Sequence, residues 1–203
     1  MPYGRIGQYS DLALATNGAA YVSAYPSSHG DLVVARWPDS GPIPDEEWEF
    51  VDGVPDGPVA LESSDVRGGI FEPGPDVGMF TSIAVAPDDT VMVSYFDRDQ
   101  GSLKLASKIG TEWHTSVVDE GNAGGDPELG YEIAGQFSSI TLRSDDGRPG
   151  IAYFVEVSEG GAVRTEVRYA AAQTTTPQGP ADWQVWVVDS AVLPPEDPEA
   201  PDV

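Results

Sequence analysis

Three segments of this chain, GQYSDLALATNGAAYVSAY from Gly7, GMFTSIAVAPDDTVMVSY from Gly78 and GQFSSITLRSDDGRPGIAY from Gly135, are copies of one pattern. Each runs glycine, spacer, aromatic, hydroxyl, an alternating apolar stretch, a polar turn and a second apolar stretch that ends on tyrosine. A unit this small cannot bury both faces of its own sheet, so the copies must stack or close around a common axis. That requirement constrains the fold far more than it constrains the activity.

Within each copy the first strand alternates: Leu12 and Leu14, Ile83 and Val85, and Ile140 and Leu142 share a face. Thr16-Asn17-Gly18, Pro87-Asp88-Asp89 and Ser144-Asp145-Asp146-Gly147 then turn the chain back, as Asn-Gly and Asp-Gly do in tight hairpins. A third strand follows as DLVVARW, SLKLASK and AVRTEVRYAAA. The fourth opens on Trp48, Trp113 or Trp183 and ends on Asp52, Asp119 or Asp189. The pattern predicts an all-β fold of three units, each with four antiparallel strands, and no helix. Repeats at 7–77, 78–134 and 135–189 make one domain over 1–189. Residues 190–203, rich in proline and acid, read as a tail or linker. The stretches Gly53–Val77 and Glu120–Ala134 carry no strand-like alternation and read as long linkers.

With 10 basic and 34 acidic residues the net charge is −24. Such a chain repels phosphate backbones and anionic membranes, so nucleic acid and membrane insertion are not expected. Carboxylates on turns keep a strand-rich protein from pairing edge to edge. Cysteine is absent, which excludes disulfides and thiolate metal sites. The 23 glycines and 18 prolines gather between the periodic segments, as many turns require.

The unit G-x-aromatic-[ST]-x-[LI]-x-[LV], a turn, an apolar strand ending in Tyr, G-x-L-x-x-A and a Trp-led strand resembles one blade of a bacterial β-propeller. The blade type is the one recurrent in secreted and surface proteins, and FTSIAVAPDDTVMVSYFDRDQGSLKLASKIGTEW is its purest copy here. The likeness runs from Gly7 to Asp189. It implies three four-stranded antiparallel blades, a half ring or partial propeller, in an extracellular, periplasmic or cell-surface setting. Closed propellers have typically about four to eight blades. Three therefore call for a homodimer closing a six-bladed ring, or for further blades from a parent protein. A threefold β-prism is the alternative arrangement. Ser107-Lys108-Ile109-Gly110-Thr111-Glu112-Trp113 echoes a sialidase Asp box but lacks its aspartate and is one residue short, so sialidase activity is not implied.

In a propeller the loops after strand two and after strand four emerge on one face, where binding groups accumulate. Here that face carries His29, the linker residues Asp65, Arg67 and Glu72, then Asp97, Arg98 and Asp99, and finally Glu156 and Glu159. These are the candidate binding residues; no catalytic or metal-ligating residue is assigned. Asp97-Arg98-Asp99-Gln100-Gly101 faintly resembles a Ca2+ loop, but the later bidentate acid is missing and a solvated turn is the simpler reading, so no cofactor is expected. Tyr25, Tyr95 and Tyr153 read as one repeated packing position. The leading functional expectation is a non-catalytic binding module for a carbohydrate or protein partner. Two alternatives stand beside it: a glycoside hydrolase or lyase with carboxylates over the axis, and a structural assembly module.

Overall fold

The computed structural model of the chain describes residues 7–44, 47–54, 60–61, 70–71, 74–123 and 130–194, with 60–61 and 70–71 as backbone only. The candidates Asp65, Arg67 and Glu72 lie outside these residues. The fold is all-β, with three four-stranded antiparallel sheets. Blade 1 comprises β1 (Gln8–Leu14), β2 (Ala20–Tyr25), β3 (Leu32–Arg36) and β4 (Trp48–Asp52). A two-stranded pair, β5 (Ala60–Leu61) and β6 (Ile70–Phe71), precedes blade 2. Blade 2 contains β7 (Val77–Val85), β8 (Val91–Asp97), β9 (Ser102–Ile109) and β10 (Glu112–Asp119). Blade 3 contains β11 (Tyr131–Leu142), β12 (Pro149–Glu159), β13 (Ala162–Ala172) and β14 (Trp183–Val192), with a single 3-10 turn at Pro180–Asp182. In every blade the strands pair in chain order.

The blades succeed one another face to face. One core cluster, built on Leu32, Val34, Ile83, Val91, Val93 and Tyr95, joins blades 1 and 2. A second, built on Met92, Leu103, Leu105, Ile140, Ile151 and Val155, joins blades 2 and 3. The period of two explains the division: in β8, Val91, Val93 and Tyr95 face backward while Met92 faces forward. Because both faces of blade 2 are covered, every residue of β8 is buried. Neither cluster joins blade 1 to blade 3, so the sheets form an arc of partial propeller blades rather than a closed threefold prism.

Two strands reach further than the alternation indicates. β11 begins at Tyr131, inside the second linker, because Tyr131–Ala134 pairs with the long end of β12 at Val155–Ser158. β14 continues past Asp189 to Val192, opposite Arg164.

Candidate functional site

The repeated Gly-x-aromatic-hydroxyl motif proves to be a bulge in the inner strand. Register slips between Gln8 and Asp11, between Met79 and Ser82, and between Gln136 and Ser139. Tyr9, Phe80 and Phe137 hold φ values of 51°, 53° and 52°, a region costly for an aromatic side chain. The bulge turns the Tyr9 and Phe80 carbonyls toward the next blade. Thr81 Oγ1 donates to the Tyr9 carbonyl at 2.7 Å, and Ser138 Oγ donates to the Phe80 carbonyl at 2.9 Å. Each of these hydroxyls has one proton, so Ser23 must donate to Thr81 (2.7 Å) and Ser94 to Ser138 (2.9 Å). One position further, Asp11 Oδ2 accepts from Ser82 Oγ at 2.9 Å and from the Ile83 amide at 3.0 Å; the Ile140 amide in turn donates to Ser82 Oγ at 3.3 Å.

The rings of these aromatics form an arc along the inner strands. Tyr9–Phe80 and Phe80–Phe137 centroids are both 4.4 Å apart, and Tyr25, Phe96 and Phe154 back them at 5.9, 6.2 and 6.1 Å. Tyr9 is 41% exposed and Phe137 66%. A cleft of about 290 Å³ runs along the arc, lined by the three rings, their neighbouring hydroxyls and Asp11. It lies at the loop end of the sheet, since Gln8 pairs with Tyr25 and Val77 with Asp97.

The backing positions correct one reading. Tyr25 is not the counterpart of Tyr95 and Tyr153 but of Phe96 and Phe154. Register places Ser23 opposite Asp11, Ser94 opposite Ser82 and Ala152 opposite Ser139. The residue after each is Ala24, Tyr95 or Tyr153. Tyr25 stands one register position later than Tyr95, which puts it on the other face, where its hydroxyl meets Asp76 of the following connection at 2.7 Å.

Tyr95 and Tyr153 belong to a second interlock, farther from the axis. Tyr95 donates to Asp52 Oδ2 and Tyr153 to Asp119 Oδ2, each at 2.6 Å, so the terminal aspartate of one blade receives the tyrosine of the next. Lys104, opposite Tyr95 in the sheet, also bonds Asp52. Arg168, opposite Tyr153, bonds Asp119 at 2.9 Å, Glu132 at 2.6 Å and Glu166 at 2.7 Å; Arg164 holds the other oxygen of Glu166 at 2.7 Å. Burial, then the neighbouring Asp52 or Asp119 charge and its hydrogen bond, push both phenols well above their ordinary range. They are permanent donors.

Several candidate residues meet around Asp76. Arg98 donates to its carboxylate at 3.3 Å and Asp99 accepts its amide at 2.9 Å. Asp97 is buried; its Oδ1 caps the turn by accepting from the Gln100 amide at 3.0 Å, and Lys104 lies 3.7 Å from Oδ2. His29 sits in the β2–β3 turn, nearly inaccessible, with its ring edge on Phe50 at 6.1 Å. The same turn reaches the connection through Gly30, whose carbonyl accepts from the Val77 amide at 2.9 Å. Glu156 and Glu159 stand apart on blade 3: Glu156 accepts from Tyr131 at 2.6 Å, and Glu159 ends β12 exposed to solvent. Among the described residues no three His, Cys, Asp or Glu side chains gather as metal ligands, and no helix is long and apolar enough to cross a membrane. A larger cleft, about 410 Å³, opens at the opposite end between the turns of blades 2 and 3, but its Asp145 and Asp146 are paired with Arg143 and Arg148.

The sequence reading missed Asp76 and the two interlocks. The signal was present: an aspartate follows the apolar run of all three Trp-led segments, at Asp52, Asp119 and Asp189, and a cation recurs at Lys104 and Arg168.

Two of these carboxylates respond oppositely to pH. Burial raises Asp97 above the usual range, only partly offset by the Gln100 amide and Lys104. A carboxyl raised on folding is stabilising when protonated, so its ionisation opposes the fold as pH rises. Burial also raises Glu166, but its hydrogen bonds to Arg168 and Arg164 outweigh burial and leave it lowered. Its contribution is complete above the ordinary glutamate range and is lost as pH falls through the lowered value. Asp97→Asn is therefore expected to raise the urea midpoint at pH 7 relative to the parent chain, with the gain shrinking as pH falls through the raised Asp97 value and vanishing below the ordinary aspartate range, about 4. Paired urea titrations across that window check the sign.

No family model matches the chain, and no curated protein matches it either.

Proposed function

We propose that this chain is a propeller-type recognition module of an exported bacterial protein, binding a carbohydrate or protein partner through its loop face. The observation that carries the reading is the aromatic arc. Three rings are held side by side by a strained backbone at the centre of that face, partly open to solvent, with polar loops at its rim. Flat apolar surfaces inside a polar margin suit the face of a sugar ring or an apolar side chain of a protein. The likeness of the repeats to secreted bacterial blades supports the exported setting. The loop acids favour binding over hydrolysis, since Asp97 and Asp99 are spent on backbone amides.

The test is a glycan array and pull-down with the whole chain, repeated with Phe80→Ala. A ligand whose affinity falls at least about tenfold in the folded variant supports the reading. Glycoside turnover that Asp97→Ala abolishes without unfolding the chain replaces it with the hydrolase alternative.

A further inference from the structure

The two blade interfaces share one set of contacts, and that set can be read at the open end of blade 3. Asp52 uses Oδ1 to accept its neighbour's amide, from Gly53 at 3.0 Å, and Oδ2 to receive Tyr95 and Lys104. Asp189 holds the corresponding position in blade 3, opposite Val167. Its Oδ1 accepts the Ser190 amide at 2.9 Å, and the side chain is exposed on the open side. Around it the residues that blade 2 buries against blade 3 recur uncovered. Val188 corresponds to Val118 and is 65% exposed against 2%. Val167 corresponds to Leu103, and Phe137 to Phe80; both are exposed.

We infer that this face of blade 3 docks a further blade of the same repeat type, one that carries a tyrosine on its second strand and a lysine or arginine opposite it on its third. Charge complementarity with Asp189 and continuity with the two existing interfaces specify that occupant. Blade 1 of a second copy does not answer to it. Where Tyr95 and Lys104 stand, blade 1 has Ala24 and Val33, and both are already covered within the chain at 1% and 0% exposure. A copy docked there would leave Asp189 against an apolar wall without its donor or its cation.

The chain contains no cysteine, so a single introduced thiol reports the face cleanly. The probe is the Val188→Cys chain with a second copy of residues 120–189 joined after Asp189, which repeats the connection between blades 2 and 3 and offers Tyr153 and Arg168 to Asp189. Thiol labelling is expected to be fast in the unextended Val188→Cys chain, slower by at least about tenfold in the extended one, and fast again when Asp189→Asn is added. Equal rates with and without the extension overturn the proposal. So does an unextended chain that scatters light as a dimer and already shields Val188→Cys, because the occupant is then a second copy. The existing interface supplies an independent check. In the parent chain Val118→Cys should be protected, and Asp119→Asn should accelerate its labelling; a folded Asp119→Asn protein with unchanged labelling also overturns it.

Discussion

Replacing Gly78 or Gly135 with alanine should destabilise the protein by about 3 kcal/mol, whereas the same change at Gly7 should cost about 1 kcal/mol. All three glycines open the bulged motif with φ values of 98°, 111° and 101°, so each variant pays for a left-handed backbone. What differs is the neighbour. A Cβ on Gly78 would lie 2.7 Å from the Leu32 backbone, and one on Gly135 would lie 2.8 Å from the Leu103 Cα, so the inner strand would be pushed off the blade before it. At Gly7 nothing lies within 4 Å. Urea denaturation of the three variants measures the contrast; equal losses at all three positions would contradict close packing of each blade on its predecessor.

The second large effect belongs to Arg168. Its guanidinium, 13% exposed, is the shared partner of Asp119, Glu132 and Glu166. Burial opposes its charge, yet the three carboxylates hold its pKa far above the ordinary arginine value. Arg168→Met leaves Asp119 and Glu132 without this cation and Glu166 with Arg164 alone, a loss of about 3–5 kcal/mol for breaking a buried ionic network from one side. Arg168→Lys keeps a charge but not the planar fork that reaches three acceptors, and should fall between. The deficit of Arg168→Met should narrow as pH falls below the ordinary glutamate range, because Glu166, held low by this pairing, then protonates in the parent chain. A deficit that stays constant down to pH 3 would assign the loss to packing instead.

Strand number, order and pairing within the blades follow directly from the apolar alternation and the polar turns, because those signals are local, whereas the β5–β6 pair inside the first linker carries no such alternation. The two interlocks are not local. Asp52 and Tyr95 are 43 residues apart, and Asp119 and Tyr153 are 34 apart. Repetition of an aspartate at strand ends shows that a position is shared, not what it touches. Tyr25 illustrates the converse. It ends the second apolar stretch as Tyr95 does, but one residue of register moves a side chain to the opposite face of a strand. The start of β11 was hidden because Tyr131–Ala134 becomes a strand only through the unusually long β12 beside it. Of the candidate site, the loop face was legible from topology, while the exposed aromatic arc at its centre was read only as part of the repeat.

β8, covered along its whole length on both sides, makes the middle blade the cooperative heart of the chain. Both faces of β8 lie against neighbouring blades, so the opening of this strand must wait until a flanking sheet has separated, whereas either flank can fray while the centre persists. Stability is therefore graded from the two ends inward rather than shared equally among three similar repeats, and sequence drift is tolerated least in the copy whose own pattern is purest.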